Sequence, residues 1–245
     1  MSLAICIHGE HGTGKSWLAS TAPAYRLVLD SEGGSRFAPG AKCYWKPATG
    51  EAPPTPGQGR ATPNGEVQEL DWHTCIVQVT DSNDMQQALT WLESGKHPFR
   101  SVIVDSLTEM QKRIIDRVAG TNQPTYQDWG EILRVTEDLV RRLRDLMWNP
   151  RLPLECIVII AMTHKRDNKY RPFVKGQLEL TLPGLVDVVG YLYNSVSTDG
   201  VIVRNLLIAP LGDFDAKDRT DLLTKTFGST IVEPNLEVMN TIINS

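Results

Sequence analysis

Short continuous apolar runs alternate with stretches in which apolar residues recur every three or four positions. Leu3 to Ile7, Tyr25 to Leu29, Cys75 to Val79, Ser101 to Val104 and Cys156 to Met162 are runs of the kind buried on both faces of a parallel sheet. Between them, Lys15 to Ser20, Asn83 to Ser94 and Thr108 to Val118 read as helices, with Met85, Ala88, Leu89 and Leu92 on one face of the second. Gln127 to Met147 has the strongest helical pattern. Its apolar stripe is Ile132, Val135, Leu139, Leu143 and Leu146, and Glu137–Arg141 and Asp138–Arg142 are i,i+4 pairs on the outer face. Phe173 to Leu182, Tyr191 to Ser197 and Val201 to Ala209 read as strands without long helices between them, which predicts hairpins at one sheet edge. The fold class that follows is α/β: a mostly parallel sheet flanked by helices, with an antiparallel hairpin extension.

The 245 residues suit one domain spanning 1–245, with a Pro/Gly-rich insertion at about 47–65 and a short C-terminal tail from about 222. No apolar run approaches the roughly 18 residues of a membrane span, and no signal peptide is legible, so no membrane partner is expected. Cys6, Cys43, Cys75 and Cys156 are scattered without a CxxC pair and read as reduced core residues, which predicts a cytoplasmic protein. The net charge of −4 means that any nucleic-acid contact must use a local basic patch.

Gly9-Glu10-His11-Gly12-Thr13-Gly14-Lys15-Ser16 matches G-x-x-x-x-G-K-[ST] between a predicted strand and a predicted helix. Glycines let successive N–H groups turn inward onto phosphate oxygens. Lys15 would reach the β- and γ-phosphates of ATP, Ser16 would ligate Mg2+, and Trp17, next in the first helical turn, would join the residues that bind the nucleotide. The run Val102 to Ser106 ends a buried strand in Asp105, placed to hold the metal's water shell. The same aspartate, or Ser106, would also serve as a cap for the next helix. Glu32 lies just past the second strand, at the same sheet edge, and by itself also reads as a solvated loop acid. Thr163 or His164, at the end of the strand from Cys156, would face the γ-phosphate.

With these pieces in this order, the chain resembles the RecA/RadA superfamily and looks like the phage-encoded Sak-type single-strand annealing ATPases. GEHGTGKS, LVLDSEGG, SVIVDSLTEMQ, IVIIAMTHKRD and AKDR carry that likeness. The resemblance implies a RecA-like P-loop core and makes Glu32 the catalytic glutamate that polarises water. It implies a homo-oligomer in which basic residues of a neighbour reach the γ-phosphate, here Lys217 and Arg219; an exposed turn is the plainer reading of that segment. RecA proteins carry a glutamine where this chain has Thr163 and His164, and the phosphate loop begins at Gly9 without a preceding docking segment. The first departure implies a different coupling of the γ-phosphate to the DNA loop, and the second favours annealing, or a ring or short filament, over strand invasion.

The segment Lys165 to Gly176 holds Lys165, Arg166, Lys169, Arg171 and Lys175 against Asp167, with Tyr170 and Phe173 interleaved. Cations that track a phosphate backbone beside stacking rings suit single-stranded DNA, bound without sequence preference; a solvated hairpin is the alternative. A single-strand DNA-binding protein is a further expected partner. A helicase core or loader, a nucleotide-dependent regulator and a small-molecule kinase are competing functions. The kinase is the poorest match, because the 47–65 insertion offers only Arg60 as a lid cation.

Overall fold

The computed structural model describes residues 2–57, 60, 61, 67, 68 and 71–245. The chain opens with β1 (Leu3–Gly9), the short helix α1 (Lys15–Ala19), β2 (Arg26–Asp30) and β3 (Lys42–Tyr44). Most of the predicted 47–65 insertion follows. Pro47–Thr49 is a 3-10 turn, and β4 (Arg60–Ala61) pairs with β5 (Val67–Gln68). Residues 58, 59 and 62–65 of that insertion lie outside the described residues. Then come β6 (Thr74–Gln78), α2 (Ser82–Ser94), β7 (Ser101–Asp105), α3 (Leu107–Ala119) and α4 (Tyr126–Asp145). The chain continues through β8 (Cys156–Arg166), β9 (Lys169–Pro172), α5 (Leu178–Leu185), β10 (Val188–Val196) and β11 (Ile202–Leu207). It closes with β12 (Lys217–Asp218), α6 (Leu222–Phe227), β13 (Thr230–Val232) and α7 (Leu236–Asn244).

The main sheet has the order β13-β11-β10-β1-β8-β7-β2-β6-β3. Neighbours from β10 to β3 are parallel, and β11 and β13 extend the sheet antiparallel. This is the mostly parallel α/β sheet with an antiparallel extension that the run pattern predicts. Period-2 alternation divides each central strand between two cores. Ala4 and Cys6 face the layer of α2, α3, α4 and α5, while Leu3, Ile5 and Ile7 face α1, α6 and α7. Both faces are covered, so the strands read as unbroken apolar runs. All four cysteines are buried, and burial pushes the Cys6 and Cys156 thiols up to about 12.

Two expectations need correction. Phe173 to Leu182 is not a strand. Leu178, Leu182 and Leu185 are buried at i, i+4 and i+7, and the segment folds as α5 against α4. Its apolar positions fit both periods, and tertiary packing chose the helical one. The residues from 222 onward, expected as a short C-terminal tail, hold α6, β13 and α7. Leu223, Ile231, Leu236, Met239 and Ile243 are buried in the second core.

Candidate nucleotide-binding site

The first eight residues of the site form the turn between β1 and α1. Gly9 is required by space: a Cβ there would stand 2.4 Å from the Leu192 carbonyl oxygen. Gly14 is required by conformation, with φ +94° at the turn into the helix. Thr13 Oγ1 donates to the Glu10 carbonyl at 3.0 Å and braces the loop from within. The Lys15 ammonium is buried and donates to the carbonyls of Gly9 at 2.9 Å and Glu10 at 2.7 Å, which holds it along the loop's rim. Burial lowers its pKa, while the carboxylates of Glu32, Asp105 and Glu10 oppose that shift.

β8 lies between β1 and β7, so Asp105 at the end of β7 stands one strand removed from the phosphate loop. That gap is bridged by Ser16 Oγ, which donates to Asp105 Oδ2 at 2.6 Å. The capping alternative for Asp105 is resolved by its neighbour. Ser106 Oγ accepts from the Glu109 N–H at 3.3 Å and caps α3, leaving the Asp105 carboxylate to the phosphate side. Burial is the main cause that raises the Asp105 carboxyl to about 6, with Glu32 and Asp30 adding repulsion. The hydrogen bond from Ser16 and the charge of Lys15 pull it down. A buried carboxylate that is costly to ionise, set against a hydroxyl, fits a site that a hard divalent cation would neutralise.

Glu32 is placed by a network the motif does not reveal. Asp30 accepts from the N–H groups of Glu32 at 3.1 Å, Gly33 at 2.7 Å and Ser35 at 3.0 Å, folding the loop after β2 back on itself. The Ser31 N–H donates to the Asp105 carbonyl at 2.8 Å, and its hydroxyl donates to the Ser106 carbonyl at 3.1 Å. The two strand ends are thereby stapled together. Ser106 Oγ also donates to Glu32 Oε1. Glu32 therefore stands at a fixed place on the wall of a cleft of about 530 Å3, lined also by Glu10, His11, Thr163 and Phe173. Lys112 and Arg113 of α3 line the same cleft; they lie outside the motifs, and their position on the helix after Asp105 was the one available signal.

The two strand-end candidates, Thr163 and His164, have different surroundings. Thr163 lines the cleft, and its hydroxyl lies 3.2 Å from His8 Nδ1 and donates to the Arg171 carbonyl at 3.3 Å. His164 is not among the residues lining the cleft; its Nε2 lies 3.2 Å from Glu179 Oε1, an approach without hydrogen-bond geometry, and its ring 4.8 Å from Phe173.

The basic segment is mainly a β8–β9 hairpin turning at Asp167 and Asn168, both at positive φ. Its cations have partners within the chain. Lys165 stands 3.7 Å from Asp213, Lys169 3.6 Å from Asp215, and Arg166 3.0 Å from the buried Glu179. Arg171 donates to Asp215 at 2.8 Å, and Lys175 lies over the Trp129 ring. Tyr170 stacks on Phe214 at 4.7 Å rather than standing clear. Lys217 donates to the Pro183 carbonyl and Arg219 to the Gly184 carbonyl at 2.6 Å, so both engage the last turn of α5. Lys217 pairs with Val189, which is level with Cys6, below the chain's own phosphate loop.

No curated protein matches the chain. A solved structure of a prototypical ATPase from the type III secretion system of pathogenic bacteria is similar at 12% identity and a TM-score of 0.45, over 79% of this chain and 52% of that one. This chain thus spans about half the length of that ATPase. Among the described residues no helix is long and apolar enough to cross a membrane. The family model described as AAA domain matches residues 1–220, and the chain belongs to that family of P-loop ATPases.

Proposed function

We propose that this chain hydrolyses ATP with magnesium and couples the cycle to single-stranded DNA, in annealing or recombination, as a RecA-like ATPase of the Sak type. The observation that carries the chemistry is Glu32, held by Ser106 on the cleft wall beside the Ser16–Asp105 pair. Loop N–H groups and Lys15 would bind the phosphates, and Ser16 and Asp105 would hold the magnesium ion. Magnesium, when bound, neutralises charge on the phosphate oxygens. Glu32 orients the attacking water and takes its proton, and Ser106 keeps that carboxylate aimed. Thr163 connects the cleft to the main chain of β9 through the Arg171 carbonyl, a route by which loss of the γ-phosphate would reach the basic hairpin.

The DNA assignment is supported by the density of Lys and Arg on that hairpin and by the motif resemblance. A bound strand would have to replace Asp213 and Asp215 as the partners of Lys165 and Lys169. A neighbouring copy would place Lys217 and Arg219 near a γ-phosphate, and a single-strand DNA-binding protein would deliver the substrate. The internal pairing of the hairpin cations favours a second reading, a nucleotide-dependent loader or regulator that does not touch DNA. ATP turnover measured alone, with single-stranded DNA and with duplex separates the two. Stimulation by the single strand only supports the first, and identical rates support the second. Wild-type turnover by Lys15→Ala would remove both.

A further inference from the structure

We propose that Arg204, which belongs to none of the nucleotide-binding motifs, completes the nucleotide site by forming with Trp17 a stacking seat for the base. This rests on the nucleotide reading above and adds the residue that receives the nucleoside end.

Register puts Arg204 at the right height. His8 pairs with Tyr191, so β10 runs on beyond the end of β1, and Asn194, three residues further, pairs with Arg204 of β11. The β10–β11 hairpin therefore stands alongside the phosphate loop, on the flank opposite β7 and β2. From there the Arg204 guanidinium lies 4.3 Å over the Trp17 ring. Its Nε stands 2.7 Å from where a Cβ on Gly14 would be, so it rests on the loop's last glycine.

The Arg204 main chain is fixed from the other side. Its N–H donates to Glu233 Oε1 at 2.8 Å, and its carbonyl accepts from the Glu233 N–H at 2.8 Å. The guanidinium approaches Glu233 Oε2 only at 3.9 Å, and among the described residues it makes no hydrogen bond. Trp17 keeps 37% of its surface in solvent, high for an indole next to a buried loop.

The carboxylates of Asp105 and Glu32 mark the metal and terminal-phosphate side of the loop. The other end of a bound nucleotide then lies toward the flank that Trp17 and Arg204 occupy. A planar cation on an indole presents a flat surface that stacks with any aromatic base. Neither side chain forms a fixed donor–acceptor pattern for base edges, so the seat takes aromatic bases as a class and distinguishes ATP from GTP weakly. It acts on the nucleoside and leaves the triphosphate to the loop.

The test compares Mg·ATP with Mg·tripolyphosphate, which fills the loop but has no base, by titration calorimetry. For Arg204→Ala and Trp17→Ala, ATP affinity falls about tenfold while tripolyphosphate affinity stays within about twofold of wild type. Arg204→Lys keeps the charge but loses the planar stack and falls between; it also serves as the test if the alanine variant does not fold, as judged by circular dichroism. Equal losses for both ligands would make Arg204 a support of the loop and overturn the proposal, as would unchanged ATP affinity. Failure of the wild type to bind either ligand would instead sink the nucleotide reading itself.

Discussion

The Ser16 hydroxyl donates to the Asp105 carboxylate at 2.6 Å across 89 positions of sequence. It joins the end of the phosphate loop to the end of a strand that is not its neighbour in the sheet. This contact brings a hydroxyl and a carboxylate together where a magnesium ion would need both. It also explains why the buried carboxylate tolerates its position.

Asp105→Asn removes a charge that burial makes costly, while retaining an acceptor for Ser16. The variant without nucleotide should be more stable than wild type by up to about 3 kcal/mol at pH 8, where Asp105 is ionised in the folded chain. Magnesium-dependent turnover should be lost. Chemical denaturation and phosphate release measure the two effects, and a less stable variant would show that the carboxylate is structurally required.

Glu32→Gln keeps an acceptor for Ser106 and the size of the side chain but cannot take a proton. Nucleotide affinity should be retained while turnover falls by about 10² to 10⁴. Undiminished phosphate release would move the base elsewhere in the cleft, to Glu10 or Glu109.

His8 is fully buried between Thr163 Oγ1 and the Asp215 carbonyl, and burial pushes its pKa down from 6.5 to about 4. A depressed histidine stabilises the fold in full above pH 6.5. That contribution is lost as pH falls toward 4, because the unfolded chain takes up the proton first. The loss should approach about 3 kcal/mol. Asp105 acts in the opposite sense over part of this range, so the informative curve is wild type minus His8→Gln, measured by urea midpoints from pH 8 to 4. A difference that does not change with pH would contradict the assignment.

The hairpin cations divide into two kinds. Lys165 and Lys169 are exposed, so a double alanine variant should fold normally and lower the salt slope of single-strand binding by roughly 0.7 for each lost phosphate contact. Arg171 serves both Asp215 and the buried Glu179, and Arg171→Ala should cost about 3 kcal/mol of stability. An unchanged slope in the lysine variant, with stability lost only at Arg171, would make the hairpin a structural element.

Local pattern made much of this protein legible. Runs buried on both faces announced the parallel strands, and the α2 positions Met85, Ala88, Leu89 and Leu92 are all buried as their spacing predicts. The phosphate loop was readable because its chemistry is contiguous: one strand, one turn and one helix supply every group. Asp105 was readable because a polar residue ending an apolar run can only lie at the sheet edge. What the tertiary structure decided involves pairs distant in sequence. Which of Thr163 and His164 meets the cleft depends on how β8 is rotated, and a one-residue change in facing cannot be read from composition. The hydrogen bond from Ser106 to Glu32 and the contact of Arg204 with Trp17 depend on strand order and register. The apolar spacing from 173 to 185 suited two periods until α4 supplied the surface that selected a helix. Sequence alone determines the groups whose neighbours along the chain are also their neighbours in space; the sheet, by bringing distant strand ends to one edge, determines the rest.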